Sequence, residues 1–470
     1  MILTTLNKYF AVFVGLWIVT LGSALQVDAV TLSADQATPI GSGDTNKPGF
    51  SVRVSQIDVP GAKGLVGLID RAEQQLAGII ATNSVDFSGT TNGVFISSGT
   101  INWNQEVGPG GSGLEIGNFT TVSDPSRPDQ PIPGIPGIGP DTFANTDNIA
   151  AELITYVEFK TAGTYSMGIN SDEGFKLTAT DQPPTQTGAL IVNGGSAAGS
   201  YYAVSGGSDT GGFSTPINGP IAGKLVYAQA AEGCAPFSNA AQIAGNVALI
   251  DRGTCTYTEK VQNALNAGAI AAIIVNNADP DSADGKYPIQ MVGTPANLPA
   301  IMISKPDGAK LKTALATETV NVTLTAENEA RLGDFNGERT SSDTIITLDV
   351  PQAGVYPFRL VWFEDTGAAN LEWFTVQEDG TKILLNDRDN PAALKAFRAR
   401  NGSPIQRPRL SILRNVNGSL TISWDHTGKV QSTAQLKISG TAWTDLPNGG
   451  TSPITVTATG SAQFYRLLSQ

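Results

Sequence analysis

The 470-residue chain contains one histidine, His426, and two cysteines, Cys234 and Cys255. Ordinary zinc peptidase sites use two or three imidazole or thiolate ligands, so this scarcity argues against such a site. A Ser-His-Asp arrangement would depend on His426, whose Trp-Asp-His-Thr-Gly surroundings are typical of an exposed turn. The counts therefore predict a protein that is not an enzyme and requires no cofactor.

Charged residues are also few, at 15% of the chain, and the net charge is −13. An acidic chain cannot neutralise phosphates, which argues against a nucleic-acid partner. It also argues against adhesion to anionic lipid and favours an affinity for cations at the surface. The 52 glycines and 27 prolines indicate many tight turns and few long helices.

Only the N-terminus has a long apolar run. Lys8 precedes the uncharged residues 10–21, and small residues follow at Gly22 and Ala24 or at Val27 and Ala29. This pattern predicts a signal peptide over residues 1–29 and export to the cell surface or the medium. An uncleaved anchor is the alternative, although a span needs about 20 apolar residues. No membrane span is expected after cleavage.

The rest of the chain divides by its hydrophobic pattern. Residues 188–328 form an α/β domain, in which apolar strands alternate with helices. Residues 30–187 and 329–402 have alternating strand patterns, and the resemblance described below implies that they are the two parts of one β-sandwich. Residues 403–470 form a small C-terminal β domain. The predicted fold class is mainly β and multidomain, a β-sandwich interrupted by an inserted α/β domain, followed by a small β-sandwich.

One helix is predicted outside the α/β domain. Apolar residues between Leu65 and Ile80 recur at spacings of three and four, as on one face of a helix. Arg71, Glu73 and Gln74 are expected on the opposite, solvated face.

The segment from residue 223 to residue 315 resembles the protease-associated (PA) domain. The residues that carry the resemblance are Gly245 to Cys255, Lys260, Asn263, Ala264, Ala267 to Ala269, Ile273 to Asn277, Leu298 to Ala300, Ile303, Ser304, Asp307 and Gly308. The resemblance implies a non-catalytic α/β module of secreted enzymes and receptors that engages substrate, ligand or protein. Asp251, Arg252, Gly253 and Lys260 are its structural motif here.

The flanking segments resemble the lectin-like β-sandwich of the anthrax protective-antigen type. Residues 162–165 with 170–175, and residues 353–360 with 371–373, carry this resemblance. It implies that residues near 160–178 pair with residues near 345–376 across the insertion. The C-terminal segment resembles small β-sandwich modules of exported bacterial proteins, on residues 421–424, 442–445 and 464–467.

Calcium is the possible ligand of the sandwich. Some members of the lectin-like family hold calcium with a pair of adjacent acidic residues, and the nearest match here is Asp172-Glu173, which departs from the two aspartates of the family. Asn170 lies in the same turn, so Asn170, Asp172 and Glu173 are the candidate ligands. Asn386 or Asp387 is a possible distant oxygen ligand. The alternative is a polar hairpin turn without an ion. A sugar-binding site would also need an exposed aromatic face, for which the candidates are Trp103, Trp362 and Trp373.

Three local interpretations complete the candidate residues. Export predicts a disulfide between Cys234 and Cys255, with two free buried thiols as the alternative. Arg252 is interpreted as fixing its own loop through backbone carbonyls, and Lys260 as a solvated helix residue. Asp209 and Asp365 each open an Asp-Thr-Gly triplet of the kind used by aspartic peptidases, but both triplets are interpreted as chance turns.

These observations predict an exported, non-catalytic binding protein that engages glycan or protein ligands outside the cell. The alternative is an accessory or substrate-recognition subunit of a secreted hydrolase or peptidase.

Overall fold

The computed structural model describes residues 29–469, except for the following segments: 58–63, 91, 106–115, 136–146, 208–211, 279–285, 404–409, 415–418, 425–427, 436–441, 448–450 and 458–462. The predicted signal peptide, Asp209 and His426 lie outside the described residues. None of the helices in the described part has the length and apolar character needed to cross a membrane.

The centre of the molecule is a sandwich of two β-sheets. The six-stranded sheet contains β1 (Val30–Thr31), β17 (Ser342–Val350), β6 (Gly163–Ser171), β19 (Asn370–Val376), β20 (Lys382–Leu384) and β4 (Asn102–Asn104). The seven-stranded sheet contains β16 (Arg331–Phe335), β7 (Phe175–Thr178), β18 (Gly354–Glu364), β5 (Ile149–Phe159), β2 (Phe50–Gln56), β3 (Phe95–Ser97) and β21 (Lys395–Phe397). Alternate residues of both sheets form one shared hydrophobic core.

Strands from both sides of the α/β insertion pair with each other. In the six-stranded sheet, β6 lies between β17 and β19 and pairs antiparallel with both. In the other sheet, β7 pairs with β18. These pairings confirm the prediction that residues near 160–178 pair with residues near 345–376. Neither half alone completes a sheet.

The inserted domain is built on an eight-stranded sheet. Its strands are β10 (Ala203–Ser205), β14 (Ala300–Ile303), β13 (Ala271–Val275), β12 (Val247–Asp251), β11 (Ile221–Tyr227), β15 (Asn321–Leu324), β8 (Leu190–Val192) and β9 (Gly199–Tyr201). The strands from β11 to β14 run parallel, as expected for apolar strands alternating with helices. Separate hydrophobic clusters cover the two faces of the sheet.

Two of the three described helices of this domain begin at side-chain caps. The helices are α2 (Ala240–Ile243), α3 (Tyr257–Asn266) and α4 (Lys305–Leu315). Thr256 and Glu259 form a reciprocal capping box at the start of α3, and Ser304 caps α4 through the backbone N–H of Asp307. These local signals depend only on neighbouring residues, which is why the sequence reveals them.

The remaining helix, α1 (Ile69–Leu76), differs from its prediction. It is shorter than the periodic pattern, and Arg71, Glu73 and Gln74 are buried and not solvated. One side of α1 packs on β5 and β18 of the sandwich. On another side, the Gln74 side chain exchanges two hydrogen bonds with the backbone of Ala203 in β10, at 2.9 and 3.0 Å. Two covered sides leave no solvated face for the polar residues.

A buried ionic network joins α1, the sandwich and the chain that returns from the inserted domain. We call it the junction network; its members are Glu73, Glu152, Lys176, Glu327, Glu329 and Arg359. Arg359 and Lys176 are both 0% exposed. Arg359 binds both carboxylate oxygens of Glu73, at 2.7 and 2.8 Å, and Glu152 at 2.6 Å. Lys176 binds Glu73 at 2.6 Å, Glu327 at 3.1 Å and Glu329 at 2.5 Å.

The C-terminal segment forms two three-stranded sheets around a small core. The first contains β22 (Leu410–Arg414), β23 (Ser419–Trp424) and β26 (Ile454–Thr457). The second contains β25 (Thr444–Asp445), β24 (Gly428–Thr433) and β27 (Phe464–Ser469). With these sheets, the predicted mainly β, multidomain fold class is confirmed.

Candidate functional site

Carboxyl groups converge at one end of the sandwich. Asp172 and Glu173 form the turn from β6 to β7, Glu364 is the last residue of β18, and Asp365 follows it. One carboxylate oxygen from each of Asp172, Glu173 and Glu364 lies within 4.8 Å of the others. The charge of Asp365 lies close enough to Glu173 to raise the pKa of Glu173. We call these four residues the carboxyl cluster.

The backbone of the β6–β7 turn is fixed by hydrogen bonds from three directions. The N–H of Asp172 donates to the carbonyl of Asn370 at 3.2 Å, and the N–H of Glu173 donates to the carbonyl of Arg339 at 2.9 Å. The indole N–H of Trp362 donates to the Asp172 carbonyl at 2.9 Å. Glu173 has a left-handed backbone, with φ +61°. The turn therefore holds its two acidic side chains in one place.

Gly174 brings this turn against the neighbouring strand. A Cβ atom at this position would lie 2.4 Å from the Phe363 ring and 2.5 Å from the carbonyl oxygen of Phe335. Contacts this short are prohibitive, so only glycine allows the turn to lie so close to β18. That approach places Glu173 beside Glu364.

Glu364 is the most unusual member of the cluster. Its side chain is fully buried, at 0% exposed, and both carboxylate oxygens lack a hydrogen-bond partner among the described residues. Buried polar atoms in folded proteins are nearly always paired, because an unpaired group loses its hydration without compensation. The two unpaired oxygens therefore indicate that this carboxyl group has a proton or a ligand as its counterpart.

The cluster shifts the proton affinity of its members. Burial is the main cause that raises the pKa of Asp172 to about 6 and of Glu173 to about 9, the neighbouring Asp365 adding to the latter. Burial and the charges of Glu173 and Asp172 raise the pKa of Glu364 well above its ordinary value. Without a cation, part of the cluster is consequently protonated at neutral pH.

The two nearby arginines direct their guanidinium groups to other acceptors. Arg339 donates to the carbonyl of Glu173, and to the hydroxyls of Thr344 and Ser171. Arg71 donates to the backbone carbonyls of Val66, Ile149 and Glu364, and to the Gln75 side chain. Their guanidinium groups thus do not bind the carboxylate oxygens of the cluster, although the backbone N–H of Arg339 donates to Oε2 of Glu173 at 3.0 Å.

The other residues predicted for a calcium site lie in different hydrogen-bond networks. The Asn170 carboxamide accepts from Ser341 and Asn370, each at 2.7 Å, and donates to Asp343 at 2.8 Å. The Asn386 amide donates to the backbone carbonyls of Ser98 and Gly99. Asp387 pairs with Arg127.

An exposed aromatic platform for a sugar was a further expectation. It is wrong for the three tryptophans considered, because Trp103, Trp362 and Trp373 are all buried in the sandwich core. They pack against aliphatic and aromatic neighbours between the two sheets.

The motif residues of the inserted domain hold its own loops. Asp251 accepts hydrogen bonds from the Tyr227 hydroxyl at 2.6 Å and from Lys312 at 3.0 Å. The Arg252 side chain donates to the side-chain oxygen of Asn276 at 2.8 Å, and not to a backbone carbonyl. A Cβ at Gly253 would lie 2.2 Å from the Glu232 carboxylate, so the Glu232 side chain would have to shift.

The predicted disulfide between Cys234 and Cys255 is confirmed, with Cα atoms 5.5 Å apart. Lys260 was expected in solvent, but it is fully buried beneath this bridge. Its amine lies 3.4 Å from the sulfur of Cys255 and donates to the carbonyl of Glu232. Burial of the amine lowers the pKa of Lys260.

Comparison with known proteins identifies the inserted domain. The family model described as PA domain matches residues 221–311. Signal peptide peptidase-like 2 of Arabidopsis thaliana is 34% identical over 103 residues, which are 20% of this chain and 17% of that protein. The probable lipoprotein aminopeptidase LpqL of Mycobacterium tuberculosis is 31% identical over 117 residues, 24% of this chain and 23% of that protein. The chain thus spans less than a quarter of each of these relatives.

A zinc aminopeptidase from Bacillus subtilis, BSAP, is among the solved structures with a matching part. The match has a TM-score of 0.23 and 22% identity, and it covers 39% of this chain and 36% of that one. The curated relatives include proteins named as peptidases, and also ER degradation-enhancing alpha-mannosidase-like protein 3 of Homo sapiens, which is 28% identical over 126 residues, 26% of this chain and 14% of that protein. The predictions of a non-catalytic binding protein, of no enzyme activity and of no required cofactor are wrong, because they conflict with the relatives that are named as peptidases.

The carboxyl cluster does not fit zinc. Protein zinc sites typically include imidazole or thiolate ligands, and the described residues place neither beside the cluster. Both cysteines are in the disulfide. A donor set made only of carboxylate oxygens fits a hard divalent cation, such as Mg²⁺, Mn²⁺ or Ca²⁺.

Proposed function

We propose that this chain acts in the hydrolysis of peptides or proteins outside the cytoplasm, with its PA domain recognising the substrate. The observation that carries the proposal is the PA domain at residues 221–311, together with relatives named as peptidases. The chain is then either a peptidase or the substrate-recognition subunit of one.

The PA domain supplies recognition and no reaction chemistry in this proposal. Its motif side chains Asp251 and Arg252 are bound to Tyr227, Lys312 and Asn276 within the domain. Side chains held in this way stabilise the loops that form a binding surface. The acid–base chemistry must come from elsewhere.

The carboxyl cluster is where the described residues offer such chemistry. Burial and the neighbouring Asp365 raise the pKa of Glu173 to about 9, so the Glu173 carboxyl group holds a proton at neutral pH. A protonated carboxyl group can protonate a leaving amine, and an ionised carboxylate beside it can activate water. The carboxyl group beside Asp365 is thus that of Glu173. The sequence motif would have paired Asp365 with Asp209 instead.

We further propose that a hard divalent cation binds at Asp172, Glu173 and Glu364. A cation would replace the protons of the cluster and give the unpaired oxygens of Glu364 a partner. The three residues supply only part of a six- to eight-oxygen shell, so water completes it. The cation is proposed to fix the β6–β7 turn against β18.

Export is the remaining part of the proposal. It is supported by the apolar run that ends before residue 22 and by the disulfide, which persists in oxidising compartments. The likeness of the sandwich to the protective-antigen type and of residues 403–470 to bacterial export modules is consistent with this location.

The test combines cleavage and cation binding in the full chain. Mixed peptides are incubated with the protein at pH 5 to 8 after EDTA treatment, with Mg²⁺, Mn²⁺, Ca²⁺ or Zn²⁺ restored singly, and products are read by mass spectrometry. Glu173→Gln should abolish cleavage, whereas Glu378→Gln, an exposed carboxylate away from the cluster, should not. A recognition subunit would show no cleavage alone but would bind and accelerate a co-purified peptidase. Absence of both behaviours would refute the proposal.

A further inference from the structure

A lysine, a carboxamide and two carboxylates meet on the outer face of the six-stranded sheet. The Nζ atom of Lys382, in β20, lies 2.6 Å from Oδ1 of Asn118. The Nδ2 atom of Asn118 donates to Glu372 at 2.8 Å and to Asp343 at 2.7 Å. Lys382 also forms an ion pair with Asp343. These four residues are far apart in the sequence and belong to neither the carboxyl cluster nor the PA domain.

The carboxamide has one orientation in this arrangement. Its oxygen faces the amine of Lys382, and its nitrogen faces the carboxyl groups. The Glu372 carboxylate also accepts the backbone N–H of Asn118 at 2.6 Å and that of Phe119 at 2.8 Å. The loop is therefore anchored to Glu372 at three points, and the amide cannot turn away without losing them.

Gly117 makes this close approach possible. It has a φ of +105°, a conformation that other residues rarely adopt. A Cβ at this position would lie 2.3 Å from Glu372 Oε1 and 2.9 Å from the Asn370 side-chain nitrogen. Glycine is therefore the residue type that this position tolerates, and it directly precedes Asn118.

The surroundings are partly apolar. The Lys382 amine lies 5.3 Å from the centroid of the Phe374 ring, and Phe374 packs against Phe119 at 6.0 Å between centroids. Glu372 is fully buried. Burial favours the uncharged form of the Glu372 carboxyl group, which can act as the acid in aminolysis of an amide.

We propose that Lys382 and Asn118 form an intramolecular isopeptide bond, with Glu372 as the residue that transfers protons. The Lys382 ammonium first loses a proton to solvent, and the lone pair of its nitrogen then attacks Cγ of Asn118. The C=O π electron pair moves onto Oδ1. Protonated Glu372 gives its proton to Nδ2, and the C–N bond breaks and releases ammonia as the carbonyl re-forms. The new amide nitrogen returns its extra proton to Glu372.

The net reaction converts one amine and one carboxamide into a secondary amide and ammonia, and Glu372 ends in its starting state. No oxidant or reductant takes part. Burial raises the pKa of Glu372 to about 7, so its protonated form is available at neutral pH. Because folding already holds Lys382 and Asn118 in contact, the reaction does not incur the entropy cost of bringing two groups together.

The bond would tie the glycine- and proline-rich segment before β5 to the β19–β20 hairpin. This segment has little regular structure in its described part. A covalent link at Asn118 would close a loop in the unfolded chain and limit fraying, as disulfides do. The competing structure is a hydrogen-bonded ion pair without the covalent bond.

Mass spectrometry distinguishes the two structures. The reduced full-length protein should weigh about 17 Da less than its processed sequence, because one ammonia is lost. A protease digest should contain a branched peptide that joins the Asn118 and Lys382 segments. A full-mass protein that yields two linear peptides would overturn the proposal.

Variants test the residue roles. Lys382→Arg keeps the charge but removes the nucleophile, and Glu372→Gln removes the proton transfer; both should have the full mass. Lys429→Arg changes another ion-paired lysine, which lies 3.9 Å from Asp445, and should keep the loss. Near-UV circular dichroism identifies folded variants. A folded Glu372→Gln protein that still forms the branched peptide at the wild-type rate would overturn the role of Glu372.

Discussion

Replacement of Arg359 by methionine should strongly destabilise the sandwich. Arg359 is fully buried and makes four charge-assisted hydrogen bonds, two with Glu73, one with Glu152 and one with Glu329. Methionine fills most of its volume but leaves Glu73 and Glu329 with Lys176 as their buried cation, and Glu152 with Arg53 alone. Breaking a buried ion pair in this way costs about 3–5 kcal/mol in free energy of unfolding.

The loss should depend on pH in a defined direction. Burial alone would raise the pKa of Glu73, but hydrogen bonds from Arg359 and Lys176 hold it below the ordinary value of 4.5. A lowered pKa in the folded state stabilises the protein above pH 4.5, and this stabilisation is lost as the pH falls through the folded value. The difference between wild type and Arg359→Met should therefore be largest near pH 7 and should shrink in acid.

Urea titrations followed by tryptophan fluorescence measure this effect, because three tryptophans lie in the sandwich core. The control is Arg388→Met, an exposed arginine whose loss should cost at most about 0.5 kcal/mol. Equal losses for the two variants at pH 7, or a difference that grows in acid, would show that the junction network does not stabilise the fold as argued.

Three further predictions concern the turn, the cluster and the disulfide. Gly174→Ala should cost about 1–3 kcal/mol because its Cβ overlaps Phe363, whereas Gly99→Ala has open space and should be neutral in the same urea titration. Cation affinity of the carboxyl cluster should rise between pH 5 and 8, with proton release in calorimetry, because the pKa values of its members are raised; a pH-independent affinity would contradict this. The bridge between Cys234 and Cys255 spans 21 positions, so replacing both cysteines by serine should destabilise the PA domain by about 3 kcal/mol; unchanged hydrogen-exchange protection there would refute this.

Local signals made part of this structure predictable. The capping box of Thr256 and Glu259 and the apolar strands β12 and β13 can be read from neighbouring residues. The pairing of β6 with β17 and β19 followed from the need of two incomplete halves to share one core. In each of these cases, the information lies in spacing or in the amount of apolar surface.

Non-local contacts made the rest unpredictable. The pattern of α1 placed Glu73 in solvent, because amphipathicity does not reveal that two domains pack on one helix. Glu364 ends a strand that is buried throughout, and no sequence pattern connects it with Asp172. The one signal for this site in the sequence was Glu364 itself, which ends an otherwise apolar run and is followed directly by Asp365.

The junction network also determines how this protein can be re-engineered. Its members come from α1, the sandwich strands and the chain that leaves the PA domain, so they must change together. A chimera that exchanges only residues 188–328 for a foreign PA domain would lose Glu327 and leave Lys176 with fewer partners. A portable graft must therefore carry residues 69–76 with it, together with the return segment through Glu329.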